Sequence, residues 1–233
     1  TFDQLDDAAH AVTAIITRGV IPATLELMDR ITINCVERQA HLGLPADAEA
    51  ILLIEVDGGK KQVEEDIETI REICQGSRCR DIQIAGTGEE REKLWKARRA
   101  VSSAIVQLNP TKISEDATVP RSKIPEMVKR LREIGEKYAL PLPVFGHAGD
   151  GNLHPNILVN KRNPAEMERA EQAVGEIFRA ALELRGTLSG EHGIGIMKKP
   201  YLHWELGDTG VDYLKRIKQA VDPNNVLNPG KVF

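Results

Sequence analysis

Residues 141–159 read PLPVFGHAGDGNLHPNILV. Two short apolar runs, Pro141 to Gly146 and Leu153 to Val159, flank the tetrapeptide Gly149-Asp150-Gly151-Asn152. Gly, Asp and Asn tolerate the left-handed backbone of tight turns and hydrogen-bond locally, so the stretch predicts a β-hairpin. A hairpin pairs its strands antiparallel, without the helical crossover that parallel neighbours need. It therefore decides between a parallel α/β sheet and an α+β fold. The chain reads as α+β: a ferredoxin-like antiparallel or mixed sheet with helices packed on one face, followed by a C-terminal helical segment.

Outward from the hairpin, the periodicity supplies the other elements. Leu5 to Arg18 has apolar residues at helical spacing and ends at Gly19. Leu25 to Ala40 continues that spacing after Pro22 and predicts a second helix. AEAILLIEV (Ala48 to Val56) runs into Asp57-Gly58-Gly59 and predicts a buried strand. Lys60 to Cys74 is an amphipathic, charge-laced helix. RDIQIA (Arg80 to Ala85) alternates and predicts a half-buried strand. Glu89 to Gln107 is a long helix, Thr111 to Val119 is extended, and Lys123 to Tyr138 and Pro164 to Arg185 are helices. A glycine-rich loop, Gly186 to Gly195, precedes a last helix at Val211 to Val221 and a Pro/Asn-rich tail. The expected organisation is a helical segment at 1–45, an α+β domain at 46–196, and a helical segment with its tail at 197–233.

The chain has 233 residues, 41% hydrophobic and 28% charged, with a formal net charge of −4. That is enough chain for a substantial core. It offers no basic face for nucleic acid. No apolar run approaches the roughly 20 residues of a membrane-spanning helix. The N-terminus lacks the basic and apolar regions of a signal peptide. Three cysteines, Cys35, Cys74 and Cys79, form no zinc-ribbon pairing and read as free thiols of a reducing, cytoplasmic compartment. A start at Thr1 rather than Met reads as part of a longer chain.

Three of the six histidines fall in two glycine-flanked stretches, GHAGDGNLHPN (146–156) and SGEHGIG (189–195). A hairpin returns His147 and His154 to the same end of the sheet. Imidazole and carboxylate are the usual ligands of Zn, Mn or Fe, so Glu191 could complete an open divalent-metal site. His192 would then face the substrate as a base, its ordinary pKa suiting proton transfer near neutrality. His10, His41 and His203 lack such settings. The glycines do not make a dinucleotide site: Gly190, Gly193 and Gly195 give G-x-x-G-x-G, the reverse of the fingerprint, and there is no phosphate-loop lysine. Arg98, one turn after Trp95, could grip a carboxylate, and Ser102 would share its helix face. Taken alone, the His/His/Glu set serves a stand-alone metal-dependent hydrolase equally well.

VFGHAGDGNLHPN (144–156), SGEHGIG (189–195) and VDPNNVLNPGKVF (221–233) resemble the C-terminal part of the FAD-linked 2-hydroxy-acid oxidases and dehydrogenases. GVIPA (19–23) with LELMD (25–29), Trp95-x-x-Arg98 and SEDATVP (114–120) extend the likeness over the whole chain, most towards the flavin subunits of glycolate oxidases. The resemblance implies a substrate (cap) domain whose separate N-terminal domain holds FAD. It implies His147, His154 and Glu191 as metal ligands and His192 as the catalytic base. It implies Arg98 and Asn156 as groups binding the substrate carboxylate or hydroxyl, Ser102 as a further substrate contact, and Asn228 as a flavin-side contact. Some relatives carry a lysine two residues before the position of Asp116; here Ser114 stands there, which points to a small acid such as glycolate or D-lactate. An iron-sulfur partner subunit, and through it a peripheral place at the inner membrane, is also implied. So is inactivity of the chain without its FAD domain.

Overall fold

The computed structural model describes residues 1–233. Six strands, β1 (Thr24–Asp29), β2 (Ala50–Glu55), β3 (Thr111–Ser114), β4 (Ala117–Thr118), β5 (Val144–His147) and β6 (Asn152–Val159), form one sheet in the order β2-β1-β5-β6-β3, with β4 also on β6. Every pairing is antiparallel. Seven helices surround it: α1 (Leu5–Thr17), α2 (Arg30–Ala40), α3 (Lys60–Gly76), α4 (Gly88–Ile105), α5 (Ile124–Tyr138), α6 (Pro164–Glu183) and α7 (Leu202–Val221). The hairpin of 141–159 is β5 and β6, joined by the turn at Ala148 to Gly151. None of the helices is long and apolar enough to cross a membrane.

The helix expected over Leu25 to Ala40 is corrected. Its first third is β1, a central strand between β2 and β5. Leu25 and Leu27 enter one core and Met28 the other, the two-residue alternation of a strand. Asp29 ends it by accepting the Thr32 amide at 2.8 Å, an N-cap that starts α2. β1 belongs to the sheet and α1 packs into its larger core.

The helices also lie on both faces of the sheet, not one. Leu25, Leu27, Val144, Leu153, Ile157 and Val159 pack with α1, α5 and α6. Met28, Phe145 and Leu158 pack with α2 and α4 through Ile33, Val36, Ala97, Val101 and Ile105. Strands covered on both sides carry near-continuous apolar runs, and ILLIE and NILV have that character. RDIQIA, expected as a strand, forms no ladder. Phe2 bridges to both Ala50 and Cys79, and the Arg80 amide bonds Thr1, so the chain's start takes the pairing position at the end of β2.

α4 opens with a reciprocal cap: the Thr87 hydroxyl accepts the Glu90 amide, and the Glu90 carboxylate accepts the Thr87 amide. α7 follows the glycine-rich loop and is broken at Gly207, where φ is 63°. Only Leu202 of α7 is buried; Leu206, Tyr213, Ile217 and Val221 are exposed, with Val226 and Leu227 beyond them.

Candidate active site

Alternation places Glu26, Phe145, His147, His154, Asn156 and Leu158 on the sheet face that α2 and α4 cover. The register sets Glu26 opposite His147 and Phe145 opposite His154. Apolar side chains fill this face under the helices. Its polar side chains collect at the hairpin end, where the loop after α6 crosses.

His147 Nδ1 lies 2.5 Å from Glu26 Oε1, and its Nε2 lies 3.4 Å from Glu191 Oε1. His154 Nε2 is 3.0 Å from the same Glu191 oxygen, while its Nδ1 is 3.4 Å from Asp116 Oδ1. The two rings stand perpendicular with centroids 5.1 Å apart. Two imidazole nitrogens thus converge on one carboxylate oxygen, and each ring has a carboxylate behind its other nitrogen. Glu26 is buried and also accepts Arg98 Nε at 2.6 Å. The Arg98 guanidinium sits 5.0 Å above the Phe145 ring.

The loop bearing Glu191 and His192 is gathered onto Asp116, which is fully buried. Asp116 Oδ2 accepts the Ser189 hydroxyl (3.0 Å), the amides of Gly190 (3.0 Å), Glu191 (3.4 Å) and His192 (3.1 Å), and the Lys198 ammonium (3.0 Å). Gly190 is required by space: a Cβ there would lie 2.4 Å from Thr118 Oγ1 and 2.6 Å from Asn152 Cγ. Behind the loop, Glu205 of α7 accepts Thr187 Oγ1 at 2.7 Å and the Leu188 amide at 2.9 Å.

Burial pushes the Asp116 pKa up, but contacts with His154, Lys198 and the His192 amide outweigh it and hold the carboxyl below its usual range. Neighbouring Glu115 goes the other way: burial raises it to about 7 against the pull of Lys198. The buried Lys198 is held between these two carboxylates, 3.0 Å from Asp116 and 3.8 Å from Glu115. His192 stacks on His154 at 5.1 Å, its Nδ1 2.9 Å from Asp116 Oδ1, and is 39% exposed, so the ring stays open to a small molecule.

The donor set suits a divalent ion. Asp116, His154, Glu191 and His192 offer ligand atoms all within 4.8 Å of one another, and His147 Nε2 adjoins them. Buried Oδ1 of Asn156 lacks a hydrogen-bond partner. A buried polar atom left so costs about 1–3 kcal/mol, which fits a site completed by a ligand. Ion-binding imidazoles are commonly held from behind by carboxylates, the role that Glu26 and Asp116 have the positions for.

The structure brings His147, His154, Glu191, His192 and Arg98 together. Asn156 is fully buried beside them, its Nδ2 donating to the His154 carbonyl at 2.7 Å. Ser102 is exposed on α4 and joins no hydrogen bond with the cluster. Asn228 lies in the exposed tail, in a left-handed turn with φ 46°. That tail docks through the Val232 amide on the Gly195 carbonyl. Sequence reasoning did not single out Glu26, Ser189 or Lys198. Glu26 carried the one readable signal, an acid flanked by Leu25 and Leu27 within TLELMD, once that stretch is read as a strand.

The family model of FAD linked oxidases, C-terminal domain, matches residues 1–232, and the chain belongs to that family. It is 50% identical over 232 residues to the glycolate oxidase subunit GlcD of Bacillus subtilis, covering 100% of this chain and 49% of that protein. To GlcD of Escherichia coli K12 it is 37% identical, covering 99% and 46%. To a mitochondrial D-lactate dehydrogenase [cytochrome] of Arabidopsis thaliana it is 30% identical, covering 100% and 41%. The chain thus spans about half the length of the curated relatives it matches. Among solved structures, p-cresol methylhydroxylase with substrate bound superposes with a TM-score of 0.71 at 14% identity, over 99% of this chain and 51% of that one. A 4-ethylphenol oxidase of Gulosibacter chungangensis gives 0.68 at 17%, over 99% and 52%. At such identity these two speak for the fold alone.

Proposed function

We propose that this chain is the substrate-side half of an FAD-dependent enzyme oxidising a small 2-hydroxy acid, glycolate or D-lactate, to the 2-oxo acid. The observation that carries the reading is the convergence of His147 Nε2 and His154 Nε2 on Glu191 Oε1, at 3.4 and 3.0 Å, with His192 stacked beside them. His147, His154 and Glu191 would hold a divalent ion, which would supply Lewis-acid polarisation of the substrate 2-hydroxyl. FAD, which a separate domain would hold, would supply the two-electron acceptor for the C2 hydride. His192 takes the hydroxyl proton. Arg98, its Nε tied to Glu26, turns its remaining N–H groups to the substrate carboxylate and fixes the pose. Asn156 is assigned to the substrate hydroxyl or carboxylate, Ser102 to a further substrate contact, and Asn228 to a flavin-side contact.

The exposed stripe Tyr213, Ile217 and Val221 recurs every four residues along α7. It supports α7 and the tail, from residue 197 on, as the segment that packs against the FAD domain. Electrons would leave for a partner such as an iron-sulfur subunit, in a cytoplasmic enzyme peripheral to the inner membrane through its partners. Membership of the FAD-linked family favours this reading over a metal-dependent hydrolase.

The test is anaerobic mixing of the full-length protein with glycolate and with D-lactate while following flavin absorbance. Rapid bleaching is expected, slowed at least 100-fold by His192→Ala. Failure of every small 2-hydroxy acid to bleach the flavin, or bleaching untouched by that substitution, would reject the assignment. Metal-dependent ester or amide cleavage without bleaching would favour the hydrolase.

A further inference from the structure

We infer that Asp116 is a positioning residue of this site: one carboxylate oxygen holds the loop carrying Glu191 and His192, and the other fixes which ring nitrogen of His192 bears the proton. The inference rests on the proposed function and deepens it.

The two oxygens have separate surroundings. Oδ2 collects three consecutive backbone amides, the Ser189 hydroxyl and Lys198. Three amides aimed at one anion fix the backbone of 190–192, and with it the origins of the Glu191 and His192 side chains. Ser189 adds a second tie by accepting the Gly193 amide at 2.7 Å. A carboxylate serving only as the counter-ion of Lys198 would need nothing beyond this oxygen.

Oδ1 instead faces two imidazoles, His192 Nδ1 at 2.9 Å and His154 Nδ1 at 3.4 Å, with no aligned hydrogen bond from either. An ionised carboxylate accepts and never donates. A neutral imidazole beside it is therefore favoured with its proton on Nδ1. For His192, whose only carboxylate contact is Asp116, that leaves Nε2 with a lone pair towards the open side, the tautomer that the proposed base needs. Aspartate behind the histidine of a serine-protease triad holds a tautomer in the same way, and its replacement by Asn costs about 10⁴ in kcat there. The other groups packed on these rings, Glu191, His147 and Phe145, do not face either Nδ1 at hydrogen-bond distance.

The experiment uses the full-length enzyme, saturated with Mn or Zn. Asp116→Asn is expected to lower kcat by roughly 100- to 10,000-fold while KM for the 2-hydroxy acid stays within about threefold. A folded Asp116→Asn enzyme with kcat within threefold of wild type would overturn the inference. Should that variant not fold, ¹⁵N spectra of ring-labelled histidine in the wild-type protein decide instead. Neutral His192 with its proton on Nδ1 is the expected signature; a proton on Nε2 overturns the inference. His192→Ala, run in parallel, separates the two ideas. If it keeps full turnover, the assignment of the base fails, whereas the ring spectra still report on Asp116.

Discussion

Replacing Glu26 by Gln isolates what the carboxylate behind His147 does. Glu26 is 5% exposed at its side chain, accepts Arg98 Nε at 2.6 Å, and lies 2.5 Å from His147 Nδ1. Hydrogen bonds to charged groups contribute about 1.5–3 kcal/mol each. Gln retains the shape and can keep its carbonyl on Arg98, so the stability loss should be only about 1–2 kcal/mol. The larger effect is on the ring. With the Gln carbonyl on Arg98, its NH₂ faces His147 Nδ1, which must then accept. The proton moves to Nε2, the nitrogen that faces Glu191. A ligand nitrogen carrying a proton cannot coordinate, so metal affinity should fall 10- to 100-fold, the usual scale for losing such a supporting partner. Chelator competition measures the affinity, and urea unfolding of the same samples measures stability. Metal affinity within twofold of wild type in a folded Glu26→Gln protein would refute the tautomer argument.

Leu27→Ala should cost about 3 kcal/mol in urea unfolding, since Leu27 is fully buried on a central strand; a loss below about 1 kcal/mol would contradict its place in the core. Gly190→Ala drives a methyl group against Thr118 and Asn152 and should cost about 1–3 kcal/mol together with bound metal, measured by thermal melts and metal analysis. Burial raises the Asp29 pKa from 3.8 to about 6, against the hydrogen bonds from Thr32. The folded state therefore holds a proton that the unfolded state releases, so this group's stabilisation is complete below about pH 4 and lost as pH rises to about 6, a change of about 3 kcal/mol. Asp29→Asn keeps the helix cap and should lack that decline, so its stability relative to wild type should rise between pH 4.5 and pH 7; a constant difference would contradict the burial argument.

The antiparallel α+β sheet and the meeting of the histidine stretches were both legible in part. His147, His154, Glu191 and His192 sit in two short glycine-flanked stretches, and a hairpin whose turn is written in Gly149-Asp150-Gly151-Asn152 brings the first two together. Their supporting carboxylates were not legible. Glu26 is 121 residues from His147, and Asp116 is 76 from His192, so only the sheet register and the loop path bring them near. β1 was hidden because Leu25, Leu27 and Met28 satisfy both a two-residue and a helical repeat. Asp29, able to cap a new helix, was the mark of the break. RDIQIA alternates as a strand should, but alternation supplies no partner, and the edge near it is met by Phe2. Helices on both faces were missed because the hairpin alone says nothing about what covers each side of the sheet.

The claim at the centre is that His147, His154 and Glu191 hold a divalent ion. Elemental analysis of the full-length protein, compared with its His154→Ala and Glu191→Gln variants at equal folded content, tests it most directly. About one Zn, Mn or Fe per chain is predicted in the wild type, dropping below about a tenth in both variants. Wild-type protein that oxidises its 2-hydroxy acid fully after exhaustive chelation, or variants that keep the full complement of metal, would contradict the account.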